Sequence, residues 1–178
     1  MHSTKRKRIT SIRRQLQRGL PGCHAQRMKI CIRLAAFCVL GLAVACTAQD
    51  GGYWRAASTN AKAITGDIAI SPNKVTINYF GFLIARVRSL KPEEAAAAFD
   101  ADVNAPGNGA LYRLDISAGR RFQHHNTLCG TEDTQWMATY VSGHTLQVAF
   151  FSGQTPPVLT IDALANTMER CGTFAYAR

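Results

Sequence analysis

The chain has 178 residues and a formal charge of +10, from 21 Lys+Arg against 11 Asp+Glu. Ten of the basic residues and none of the acidic ones precede Cys46, so from Cys46 onward eleven positive charges meet eleven negative ones. A domain that neutralises phosphates carries the positive charge on its own fold. The balance therefore excludes nucleic acid as the natural partner of the neutral part.

Residues 1–27 hold eight basic residues, including Lys5-Arg6-Lys7-Arg8, and no pattern that would fold. They read as an over-extended start ahead of Met28, with an extended n-region or a basic arm as the alternatives. Residues 28–45 read as a signal peptide. Lys29 and Arg33 precede an uncharged run of 12 residues, Leu34 to Ala45, that ends in small residues. That length suits a signal-peptide core and is too short to cross a bilayer core of roughly 30 Å. Leu42-Ala43-Val44-Ala45-Cys46 resembles a bacterial lipobox, with Ala43 where that pattern prefers Leu. The resemblance implies lipidation of Cys46 and a chain anchored on the periplasmic face of a membrane. The competing reading is plain cleavage at Ala43-x-Ala45 or after Ala48, giving a soluble periplasmic or secreted protein.

The cysteines fit export. Cys23, Cys31 and Cys38 leave with the leader, and lipidation of Cys46 or cleavage after Ala48 removes Cys46 from the thiol count. Cys129 and Cys171 remain, a natural disulfide in an oxidising compartment. No C-x-x-C is present, so neither a zinc knuckle nor a thioredoxin-type site is indicated.

Residues 46–64 are small and polar, broken by Gly51-Gly52, and read as a flexible tether. Tyr53 and Trp54 within it either pack on the domain or lie at a membrane surface. From Thr65 to residue 178 the pattern is β. Apolar residues alternate at Val75, Ile77 and Tyr79, at Tyr112, Leu114 and Ile116, at Leu159 and Ile161, and at Phe174 and Tyr176. Ser71-Pro72-Asn73 separates Ile68–Ile70 from Val75–Phe80, and Ser142-Gly143 marks a tight hairpin. Pro92-Glu93-Glu94, four alanines and Phe99 predict one short helix, ended by the cluster from Asn104 to Gly109. The fold class expected is mainly β: one small antiparallel barrel or sandwich of about seven strands with a short helix.

No catalytic residue, metal site or cofactor is indicated. Asp100-x-Asp102-x-Asn104 begins like a calcium loop, but Ala105 and Leu111 stand where the loop needs Gly and Glu. His124-His125 lie near Cys129, Glu132 and Asp133, yet adjacent histidines on an extended chain point to opposite sides. A hydrolase would need His124, His125 or His144 beside a nucleophile, and no G-x-S-x-G elbow is present. Arg86 and Arg88, predicted on one strand face, and Arg120-Arg121 with His124 and His125 are the candidates for binding an acidic or carboxylate-bearing partner. The alternative for them is solvated surface.

Ser117-Ala-Gly-Arg-Arg-Phe122 is similar to the Ser/Gly-Arg-aromatic stretch of the bacterial lysozyme-inhibitor lipoproteins, over six residues and without that family's following Lys-Gly segment. The resemblance implies an inhibitor-like module. The reading is an exported envelope protein that binds a protein or envelope component without catalysis. A structural envelope lipoprotein and a small secreted hydrolase are the alternatives.

Overall fold

Residues 50–178 are described by the computed structural model, and they form a closed antiparallel barrel whose eight strands follow chain order. The basic prefix, the signal peptide and Cys46 lie outside the described residues. The strands are β1 (Gly52–Ala56), β2 (Ile68–Ser71), β3 (Lys74–Ile77), β4 (Phe80–Ser89), β5 (Asn108–Ile116), β6 (Thr134–Ser142), β7 (Thr145–Phe151) and β8 (Arg170–Ala177). Two short helices are added, α1 (Pro92–Phe99) and α2 (Ile161–Asn166). The barrel is closed by a short seam in which Arg55 faces Ala177 and Ala56 faces Tyr176. Just past it, the Ala57 and Ser58 amides donate to the Ala175 carbonyl at 2.9 and 3.0 Å.

The eighth strand comes from the stretch predicted to be a tether. β1 is only five residues long, and one inward side chain, Trp54, supplies its burial. A single buried residue leaves no alternation to read. The Trp54 indole donates to the Asp50 carbonyl at 2.8 Å, and the Arg178 guanidinium lies over its ring. A second difference concerns Leu159 and Ile161, which form no strand. Thr160 caps α2 instead, its hydroxyl accepting from the Ala163 amide, so Leu159 is buried beneath the helices while Ile161 faces water.

Inward residues fill the barrel. Trp54, Ile68, Val75, Ile77, Met137, Leu146, Val148, Phe150, Phe174 and Tyr176 are all buried in one cluster. The interior of eight strands is about wide enough for side chains to fill. A second cluster lies outside the wall, where Leu111, Trp136, Ala138, Tyr140, Ala149 and Phe151 are covered by Ala95, Ala98 and Phe99 of α1 and Leu164 of α2. The strands β5 to β7 are therefore apolar on both faces.

The chain enters at one mouth of the barrel, here the Asp50 end. Asp50 is only 4% exposed, and its Oδ2 accepts from the hydroxyls of Tyr112 at 2.6 Å and Thr139 at 2.8 Å. Burial, then this hydrogen bond, hold the Tyr112 hydroxyl protonated far above the ordinary phenol range. The opposite mouth, the Tyr79 end, is closed by Phe122, Leu128 and a π-helical turn, Ala61–Thr65, whose Thr65 hydroxyl bonds Tyr176 at 2.7 Å.

Cys129 and Cys171 are joined, tying the β5–β6 loop to β8. Closing a loop with a sequence separation of 42 restricts the unfolded chain. Replacing both cysteines with serine is expected to lower unfolding free energy by roughly 2–4 kcal/mol in urea titration. An unchanged midpoint would contradict that role.

α1 is fastened by the Arg88 guanidinium, which holds the Glu94 carboxylate with two bonds of 2.6 and 2.7 Å. The Lys91 amide donates to the same carboxylate at 2.9 Å. Arg88, more than the other causes, keeps the Glu94 carboxyl below the usual glutamate range. A depressed folded-state pKa gives stability that is complete above the unfolded value and drains as pH falls through the folded one. Because the pair is partly exposed, its contribution is about 1 kcal/mol or less. Glu94→Gln should lower stability slightly at neutral pH and flatten the decline below about pH 4.5. Parallel acid-unfolding curves for the two proteins would refute this.

Candidate functional site

A two-residue turn joins β3 to β4, since Ile77 faces Phe80 across it. Its residues Asn78 and Tyr79 both have positive φ, 46° and 69°. That is the form of a tight type I′ hairpin turn, which favours Asn-Gly because glycine tolerates the second position. This chain has Asn-Tyr. The tyrosine sits 97% exposed and contributes nothing to the core. The predicted strand Val75–Phe80 is thus two strands and a strained turn.

The second strained segment adjoins it. His124 and His125, predicted on extended chain, instead lie in a short turn with φ of 52° and 62°. Four of the five non-glycine residues with positive φ among the described residues are therefore at the Tyr79 end. Such backbone persists where surrounding structure imposes it, and it concentrates at sites of function. The surroundings are rigid here. Phe82 packs on Phe122 with ring centres 6.1 Å apart, the Asn126 side-chain Nδ2 donates to the Ala63 carbonyl at 3.2 Å, and the disulfide pins the same loop.

Between these segments the outer wall carries a cleft of about 350 Å³. Its floor follows from strand register: Tyr53 lies beside Ala69, and Ala69 beside Thr76. Two small residues after an aromatic one leave a trough. Asp67 stands at its edge, accepting from the Tyr53 hydroxyl and, at 2.8 Å, from the Ala56 amide. These donors, Tyr53 first, hold its carboxyl below the ordinary aspartate range, and the same contact raises the Tyr53 hydroxyl. Lys62, Asn78, Tyr79 and Gln123 complete the lining. Gly66, at φ 62°, leaves room for the Gln123 amide, which any side chain there would strike.

The residues singled out from sequence divide between the two ends. Arg120 lies over the Phe80 ring at 4.6 Å, and Arg121 donates to the Ala118 carbonyl at 2.9 Å. With His124 and His125 they border the cleft's end of the barrel. Arg86 and Arg88 do not join them, nor do they share a face. A register shift sets Arg86 opposite inward Tyr112 and Arg88 opposite outward Leu111, because the bulge at Val87 inserts one residue. Arg86 bonds Ser89 at 3.1 Å near the Asp50 end, and Arg88 is committed to Glu94. Asp102 accepts from the Asn104 amide at 2.9 Å. Among the described residues no group of three or more His, Cys, Asp or Glu is placed to hold a metal ion.

Sequence reasoning missed Tyr53, Lys62, Asp67, Asn78, Tyr79 and Gln123. The signal available was Asn78-Tyr79 between two apolar runs, read through as one strand. If Tyr79 is retained for contact rather than folding, Tyr79→Gly relieves the turn and should raise stability by about 1 kcal/mol. A loss of stability in thermal unfolding would show that Tyr79 serves the fold. No family model matches the chain, and no curated protein or solved structure matches it either, so the cleft is interpreted through its own chemistry.

Proposed function

We propose that the protein is an exported bacterial envelope protein, lipid-anchored through Cys46, whose barrel is a non-enzymatic binding module for a protein or another envelope component. Export is supported by the apolar leader with its small-residue end, and by the Cys129–Cys171 bridge, a pairing that persists in oxidising compartments.

The observation that carries the binding reading is the opposition of the two ends. The chain enters at the Asp50 end, while the strained turns and the cleft lie at the other. Cys46 precedes Asp50 by four residues, a reach of at most about 14 Å in any conformation. An anchor there holds the Asp50 end near the membrane and turns Tyr79 away from it, toward partners. Similarity of Ser117–Phe122 to the lysozyme-inhibitor stretch falls in the loop that borders this far end, which favours an inhibitor-like use of it.

Intact mass of the protein from a cell-envelope fraction, with and without reductant, tests the proposal. The expected species begins at Cys46, carries acyl mass and gains about two mass units on reduction. An unmodified chain beginning near Cys46 or Gln49 would overturn the anchor and keep export. A chain that still carries residues 28–45 and free thiols would overturn both.

A further inference from the structure

Resting on the reading of the Tyr79 end as the binding end, we propose that the cleft beneath Tyr79 takes a neutral saccharide, one or two units of an envelope glycan. Charge comes first. The cleft holds one cation, Lys62, and one anion, Asp67. These two lining charges offset one another, and Arg55 on the same strand face as Tyr53 acts further on Asp67, so the lining carries no surplus charge that would select an anion or a cation.

Hydrogen-bonding capacity points the same way. The side chains of Thr76, Asn78 and Gln123 are half-buried and make no hydrogen bond with another described residue. A hydroxyl and two carboxamides each donate and accept. Sugar hydroxyls also do both, so one ring can satisfy several of these groups at once. Asp67 uses one bond on each oxygen, which leaves further acceptor capacity for a sugar hydroxyl.

Shape and dispersion complete the match. Tyr53 and Tyr79 expose 59% and 97% of their surface at the cleft. The C–H faces of a pyranose pack on such rings. The hydrogen bond to Asp67 fixes the Tyr53 ring before any ligand arrives, and the small floor residues Ala69 and Thr76 leave depth beside it. Fixing a contact in advance reduces the ordering cost of binding. Pockets in which a few polar groups converge beside aromatic rings are the common form of small-ligand sites.

The test is a ¹⁵N–¹H NMR titration of the full chain with chitotetraose and, separately, maltotetraose, with a poly-glutamate peptide as the competing probe. Saturable shifts at Tyr53, Thr76, Asn78 and Gln123 with a sugar are expected. Tyr79→Gly, which should keep the fold, is expected to weaken that binding by about tenfold, and His144→Ala at the far end to leave it unchanged. Unaltered affinity in Tyr79→Gly would overturn the assignment. Shifts at Arg120 and Arg121 with the peptide but none with either sugar would overturn the saccharide and leave the binding end standing. Silence with every probe, from a folded sample, would overturn both.

Discussion

A filled interior governs this molecule. Eight strands enclose a space into which Trp54, Phe150, Phe174, Tyr176 and Met137 are packed, each buried, and described residues cover both mouths. At one mouth the stopper is a carboxylate. Burying Asp50 carries a desolvation cost, offset by two hydroxyl donors and by the fixed position it gives the Trp54 indole. The cleft lies on the outer wall, outside this filled interior.

The wall is clothed on one side. Helices α1 and α2 cover the outer face from β5 to β7, turning Leu111, Trp136 and Tyr140 into a second core. Among the described residues no helix covers the outer face from β1 to β4, where Leu83, opposite Lys74, is left 76% exposed. The division follows connection length: the β4–β5 and β7–β8 links are long enough to carry a helix back over the sheet, and the β2–β3 and β3–β4 links are two-residue turns. Those short turns are stiff, which is how Asn78 and Tyr79 are held in a conformation that they would not adopt alone.

Much of this was legible in the sequence. Tyr112, Leu114 and Ile116 alternate as inward residues of β5, the Gly143 hairpin is where its φ of 57° requires glycine, and Pro92 opens α1. The disulfide followed from counting cysteines. What escaped notice has physical causes. β1 buries a single side chain, so it shows no periodicity; Thr160 capping outweighed the alternation of Leu159 and Ile161; and a one-residue bulge separated Arg86 from Arg88. The cleft was the least legible part. Its lining comes from β1, the π-helical turn, β2, β3 and the Gln123 turn, and only barrel closure brings these segments together. No local pattern marks residues whose neighbours are set by long-range register.

The seam between β1 and β8 has a consequence for how the protein is made. The first strand synthesised waits for the last: the Ala175 amide meets the Ser58 hydroxyl across 117 residues. Until β8 is synthesised, the growing chain carries two open sheet edges, Trp54 lacks its cover, and Cys129 has no partner. Contacts so distant in sequence form slowly, and open edges invite pairing with other chains. Closure is thus a single late event, and the same event completes the core and sets the cleft-lining segments in place.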